Sequence, residues 1–359
     1  MNGSQLQSPT VGQGRPDERA ESGRDVEPVL EVRGLRTEFR AKTGTVAAVR
    51  DVDLSVRPLQ RLAVVGESGS GKSAMAMSIV GLLQPPGKVV DGSIKLRGRE
   101  LRGLSDREMS AVRGKQISLV FQDPMSALDP IRTVGAQLVE VIRQHQDISR
   151  RTARRQAEEL LGDVGVADAG RRMSDYPHQY SGGMRQRVLI AMALANSPDV
   201  VIADEPTTAL DVTTQAQVLS LLDRLTRERG TALLMITHNL GVVAGFCDSV
   251  KVMYAGQIVE EASSERLFAS PEHPYTQALL DCVLRPDQAQ PSPLAAIPGS
   301  PPDLAKPLVG CAFQPRCRFA GGHDICATTE PDPIQIGAGG STSTARCHFA
   351  GQLDTEATR

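Results

Sequence analysis

The chain contains no tryptophan, and aromatic residues make up only 3% of its 359 positions. So little ring surface argues against a stacking platform for single-stranded nucleic acid. Charge of one sign is also missing: 40 Lys and Arg stand against 42 Asp and Glu, for a formal net charge of -2. No global basic field of the kind that draws in nucleic acid is present. No apolar run approaches the roughly 20 residues that a helix needs to cross a bilayer. Met1 to Glu27 has no apolar stretch of the secretory type and is rich in Gly, Ser, Arg, Asp and Glu, so it is expected to be disordered and not to direct export. Six cysteines without an export signal read as thiols kept reduced in the cytosol. What is abundant is ordinary: 40% hydrophobic and 23% charged residues suit a soluble globular protein with a sizeable core.

Ordered sequence is expected from near Val29. Thr45 to Val56 partly alternates apolar and polar residues, as a half-exposed antiparallel strand does. Leu62–Val65, Val200–Ala203 and Ala232–Ile236 are short, continuously apolar runs, suited to strands buried on both faces of a parallel sheet. Helical patterns over Arg150–Val164, Met184–Ala195 and Thr214–Arg227 lie between them. Alternating strands and helices predict an α/β fold with a parallel sheet. Between Arg132 and Arg187 no buried-strand run occurs, which predicts an inserted helical subdomain. After about Ser264 Pro and Gly rise through 285–340 and periodicity fades. The expected organisation is a disordered segment over 1–27 and a catalytic domain over 28–264, with helices inserted over about 125–188. An extension over 265–350 and a tail over 351–359 complete it.

Three motifs carry chemistry. Gly66-Glu67-Ser68-Gly69-Ser70-Gly71-Lys72-Ser73 follows a buried strand and opens a helical segment, fitting G-x-x-x-x-G-K-[ST]. Its glycines let backbone N–H groups curl into an anion nest, to which the helix N-terminus adds positive potential. Lys72 would reach the β- and γ-phosphates, and the Ser73 hydroxyl would ligate Mg²⁺. Val200 to Glu205 is an apolar strand ending in two carboxylates, with Asp204 suited to the Mg²⁺ shell and Glu205 to polarising the attacking water. Tyr180-Ser181-Gly182-Gly183-Met184 leads into a helix. Ser181 reads first as an N-cap, but the two glycines go further, allowing another backbone to approach with N–H groups aimed at an anion.

Phosphate loop, SGG helix, strand-Asp-Glu and a later His238, in this order, resemble the ABC (ATP-binding cassette) ATPase family over about 29–265. The resemblance implies a P-loop NTPase core of RecA-like type with an antiparallel β subdomain. It makes Gln122 the glutamine that contacts Mg²⁺ and water, Thr208–Asp211 the loop that crosses a dimer interface, and His238 the γ-phosphate switch. It places an adenine-stacking aromatic upstream of the phosphate loop, for which Phe39 is the candidate, with core packing as its alternative role. It pairs the nucleotide of one subunit with Ser181, Gly182 and Gly183 of a second. YSGGM stands where LSGGQ is commoner, so Tyr180 and Met184 depart from the family pattern.

Phe121 to Pro130, Tyr176 to Arg187 and the tail segments His273–Thr276, Ile297–Pro302 and Gly310–Cys317 are similar to ATP-binding subunits of oligopeptide, dipeptide and nickel importers. The similarity implies ATP hydrolysis driving peptide import, with nickel or glutathione as other cargo. A non-transport ABC ATPase is a more distant alternative. It also implies two membrane permease subunits, a second ATP-binding subunit, an extracytoplasmic binding protein, and a peripheral position on the cytoplasmic side of the membrane; no nucleic acid partner is expected. Cys311, Cys317, Cys326 and Cys347 are spaced C-x₅-C-x₈-C-x₂₀-C. Four thiolates can hold zinc or a [4Fe–4S] cluster, or remain unligated; the resemblance favours the cluster. Cys247 and Cys282 are expected to be small buried hydrophobes.

Overall fold

The computed structural model describes residues 26–41, 44–208, 210–282, 297–337 and 342–353. Nearly all of the N-terminal segment expected to be disordered lies outside them, as do residues 354–359.

The chain starts with two long antiparallel strands, β1 (Leu30–Ala41) and β2 (Gly44–Val56), with Leu30 opposite Val56. Alternation along β2 sorts its side chains: Val52, Leu54 and Val56 are buried while Asp51 and Asp53 face outward. β3 (Arg61–Val65) is buried from Leu62 onward and runs through the glycine-rich loop into α1 (Lys72–Ile79). β4 (Gly87–Leu96) and β5 (Arg99–Glu100) then complete an antiparallel sheet in the order β2-β1-β4-β5.

α2 (Asp106–Val112) opens on a capping box between Ser105 and Glu108, and β6 (Ile117–Val120) follows. From there to residue 194 the described residues hold helices and turns and no strand. These helices are α3 (Pro124–Ala127), α4 (Val134–His145), α5 (Arg150–Asp163), α6 (Ala169–Arg172) and α7 (Gly182–Leu194). Thr133, Ser149 and Ser181 each cap a helix by accepting an N–H from its first turn. Val134, Leu138 and Ile142 recur every fourth residue on α4 and bury one stripe against Ala153, Ala157 and Leu161 of α5.

The remaining strands of the core are β7 (Val200–Asp204), β8 (Ala232–Thr237) and β9 (Ser249–Tyr254), separated by α8 (Val212–Glu228) and α9 (Leu240–Phe246). β6, β7, β8, β3 and β9 lie side by side and parallel. Both faces are covered, as continuously apolar strands require. Ala63 and Val65 of β3 join one core cluster while Leu62 and Val64 join the other.

β10 (Gln257–Ser263) turns back antiparallel to β9, followed by α10 (Ser264–Ala269), α11 (Pro274–Asp281) and α12 (Asp324–Thr328). Two three-residue strands, β11 (Ile334–Ile336) and β12 (Ser343–Ala345), finish the sheet, with Ala345 opposite Glu260 of β10. The segment after Glu265 therefore adds strands to the same eight-stranded sheet.

Leu161 is fully buried between the inserted helices. Leu161→Ala should destabilise the protein by ~2–5 kcal/mol, measured as a lower urea midpoint. A loss under ~1 kcal/mol would show that the insert repacks around the cavity.

Candidate functional site

Parallel register decides where the chemistry gathers. Val65 pairs with Thr237 and Ile236 with Asp204, so β3, β8 and β7 end side by side. Ligand sites in such sheets form beyond the carboxyl ends of the strands. Gly66, Glu67, Ser68, Gly69, Gly71, Lys72, Ser73, Gln122, Glu205 and His238 line one cleft of about 860 Å³. Ser70 and Asp204 are buried beside these residues, Asp204 within hydrogen-bond reach of Ser73.

Two glycines are dictated by close backbone approach. A Cβ at Gly66 would lie 2.2 Å from the Met253 carbonyl, and one at Gly71 2.2 Å from that of Ala48. Gly71, at φ 105, starts α1 without any side-chain cap, so the first N–H groups of the helix face the cleft uncapped. The Lys72 ammonium donates to the carbonyls of Gly66 and Glu67, both at 2.8 Å, and to Ser70 Oγ at 3.2 Å. Burial pushes its pKa below the ordinary lysine value, against the opposing pull of Glu205, Asp204 and Glu67.

Asp204 is 4% exposed, and burial raises its pKa although the Ser73 hydroxyl donates to it. Its Oδ1 is buried without any hydrogen-bond partner. A buried carboxylate oxygen left without a donor, next to a serine hydroxyl, is a position that a hard cation would complete.

Glu205 sits at φ 47, a left-handed conformation that is strained for a residue with a Cβ. Its backbone N–H donates to the Ile236 carbonyl at 2.8 Å, which holds that turn in place. Thr208 Oγ1 donates to Oε2 at 2.7 Å, Gln122 Nε2 donates to the same oxygen at 3.0 Å, and His238 Nδ1 lies 3.1 Å from Oε1. Burial pushes the Glu205 carboxyl up, but the hydrogen bonds from Thr208 and His238 outweigh it and hold the group below the usual glutamate range. It is thus ionised at neutral pH and aimed into the cleft.

Ser181, Gly182 and Gly183 are not in this cleft. They form the start of α7, where Ser181 Oγ accepts the Met184 N–H at 3.3 Å. Ser181 and Gly182 are exposed, and a Cβ at Gly183 would meet Thr214 at 2.6 Å. The two departures from the family pattern are structural: Tyr180 is buried and its hydroxyl donates to the Arg172 carbonyl at 2.8 Å, and Met184 packs against the helical core. Asp211 caps α8.

Phe39 is not among the residues that line the cleft; it is half-buried on β1, with its ring beside Gly87 of β4, where a Cβ would come within 2.6 Å of it. One expectation is corrected: Cys282 is exposed at the C-terminal end of α11, whereas Cys247 is buried as expected. Sequence reading also missed Ala48, Leu279 and Pro301, which line the cleft, and the bond from Thr208 to Glu205.

Cys311, Cys317, Cys326 and Cys347, all free, line one small cavity of about 20 Å³ with His273, Phe313 and Phe349 among its other walls. Gly310 permits the fold here, since a Cβ would lie 2.5 Å from the Cys326 carbonyl. Burial pushes the thiols up, Cys347 to about 11, and for Cys311, Cys317 and Cys347 neighbouring cysteines add to the shift. Among the described residues, no three His, Cys, Asp or Glu side chains form a group that could hold a metal ion as they stand.

A family model described as ABC transporter matches residues 49–208, and one described as oligopeptide/dipeptide transporter, C-terminal region, matches 259–326. The oligopeptide transport ATP-binding protein OppD of Escherichia coli is 48% identical over 303 residues, covering 84% of this chain and 89% of that one. This chain belongs to the ABC transporter family. The dipeptide transport ATP-binding protein DppD of Bacillus subtilis is 49% identical over 293 residues, covering 81% of this chain and 87% of its own. OppD of Mycobacterium tuberculosis is 51% identical over 310 residues, 86% of this chain, but the match spans only 50% of that longer protein. Among solved structures, a dimeric ATP-binding cassette in a post-hydrolysis state with ADP and Pi overlays with a TM-score of 0.60 at 28% identity. It covers 66% of this chain and 98% of its own.

Gly71→Ala should abolish nucleotide binding while leaving the fold intact, because the added methyl collides with the Ala48 carbonyl at the loop. Equilibrium binding of MgATP alongside circular dichroism checks this ABC protein for both effects; unchanged affinity would show that the loop has room there.

Proposed function

We propose that this chain binds MgATP in the cleft, hydrolyses it and energises the import of oligopeptides or dipeptides through a membrane transporter. The observation that carries the hydrolytic part is Glu205, ionised and held by Thr208, Gln122 and His238 beside a loop whose floor is Lys72. Peptide as cargo is supported by the OppD and DppD relatives and by the match of the C-terminal region.

In this reading Lys72 exchanges its loop carbonyls for the β- and γ-phosphates, and the N–H groups from Gly69 to Ser73 cradle them. Ser73, Asp204 and Gln122 would hold Mg²⁺, which when bound neutralises phosphate charge. Glu205 takes the proton of the attacking water and aims its oxygen at the γ-phosphorus; the leaving ADP departs along the same line. His238 donates a hydrogen bond to the γ-phosphate and reports its loss. Exposed Ser181 and Gly182, with Gly183, close over the nucleotide of a second ATP-binding subunit in a head-to-tail pair. Closing expels bulk water, and loss of the γ-phosphate contacts reopens the pair. Two permease subunits would receive that motion near Gln122, and an extracytoplasmic binding protein would deliver the peptide. No helix among the described residues is long and apolar enough to cross a membrane. In this reading the chain sits peripherally on the cytoplasmic face, against the permease subunits.

The catalytic domain is assigned to residues 28–264, with its helical part at about 125–188, and the transporter-type extension to 265–350. Cys311, Cys317, Cys326 and Cys347 would hold a [4Fe–4S] cluster, supported by their convergence on one cavity. When bound it would cross-link the segments that carry them and draw the thiols to thiolates.

Glu205→Gln should keep MgATP binding and slow hydrolysis by about 10²–10⁴-fold; turnover at the parent rate would remove Glu205 from the role of base. Protein purified without oxygen should contain iron and absorb in the visible region. Zinc without iron would refute the cluster.

A further inference from the structure

Glu67, the second residue of the phosphate loop, is where the segment after residue 264 grips the nucleotide site. Its carboxylate receives a fork from Arg316, Nη1 to Oε2 at 2.6 Å and Nη2 to Oε1 at 3.0 Å. Its backbone N–H donates to the Tyr275 hydroxyl at 2.8 Å. Arg316 is itself immobilised. Nε donates to the Pro298 carbonyl at 2.9 Å, Nη1 also to the Tyr254 hydroxyl at 3.3 Å, and Nη2 also to the Ile297 carbonyl at 3.4 Å. The rings of Tyr254 and Phe313 lie 5.8 and 6.0 Å from the guanidinium carbon, and the side chain is 4% exposed.

Two consequences follow for the loop. The Glu67 N–H is committed to Tyr275, so the phosphate nest is left to the N–H groups after it. The Glu67 carboxylate, meanwhile, stands beside a site that must accept a polyanion, and its charge reaches the Lys72 ammonium. Unpaired, it would repel the triphosphate and compete for Lys72. A buried, planar, permanently charged guanidinium cancels that charge and fixes its direction, which a flexible ammonium would do less well.

We propose that Arg316 is a positioning residue for the nucleotide: by neutralising and orienting Glu67 it removes one of the three carboxylate charges that act on Lys72 and keeps the loop preshaped. The proposal rests on the ATP-binding reading above and adds a residue of the extension to that site.

The test measures MgATP affinity of the full chain by isothermal titration, with thermal melting of the nucleotide-free protein recorded beside it. Arg316→Met should raise Kd about tenfold, and Glu67→Gln in the same chain should restore most of the affinity, because the charge that Arg316 cancels is then gone. Arg316→Lys, which keeps the charge and loses the fork, should fall between. A role confined to fastening the extension predicts no rescue by Glu67→Gln. Parent-like affinity in Arg316→Met, or a double variant no better than the single, overturns the proposal. If Arg316→Met alone does not fold, Arg316→Lys decides: weaker binding supports it and parent affinity overturns it. A parent chain that does not bind MgATP overturns the proposed function instead.

Discussion

Val65 opposite Thr237 and Ile236 opposite Asp204 are ladder pairs between strands that are far apart in the chain, and the site depends on them. They place the turn after β3, the acidic end of β7 and the histidine after β8 at the same height. A slip of one residue in either ladder would reverse every side chain on the strand that moved; for β7 it would turn Asp204 away from Ser73 to the opposite face. The slip is prevented by the core on both sides, since Leu62 and Val64 belong to one apolar layer and Ala63 and Val65 to the other. Packing of hydrocarbon thus sets the position of the charged groups. The same constraint carries the strain at Glu205, whose left-handed backbone is pinned by its bond to Ile236.

Much of this was legible in the sequence. Buried parallel strands announce themselves as short unbroken apolar runs, and the glycine-rich loop has a spacing that few other structures need. Glu205 and His238 stood out as candidates because each follows such a run after one intervening residue, His238 with the family resemblance beside it. Contacts between residues distant in the chain were not legible. Arg316 and Glu67 are separated by 249 positions, and no spacing encodes their meeting. β11 and β12 are three residues each, too short for alternation to show.

The helical insert shows how a departure from a family pattern is absorbed. Tyr180 places a large ring where a smaller aliphatic residue is commoner, and the ring is accommodated because its hydroxyl reaches the Arg172 carbonyl and the Arg172 guanidinium lies 5.8 Å from the ring. Ser181 and both glycines remain at the helix start, with Ser181 and Gly182 exposed, so the segment proposed to close over a second subunit's nucleotide is kept while its flanks serve the core.

The pairing of β12 with β10 has a consequence for how the molecule behaves in company. β10 would otherwise end the sheet, presenting open N–H and carbonyl groups along Val259 to Glu261 to any extended chain nearby. Instead, Ala345 and Thr344 pair with Glu260 and Glu261, Arg346 donates to the Val259 carbonyl at 2.8 Å, and the exposed margin shrinks to a three-residue strand. The extension thus serves as a hem on the sheet: a molecule shorn of it would be left with a sticky border prone to association with its own kind.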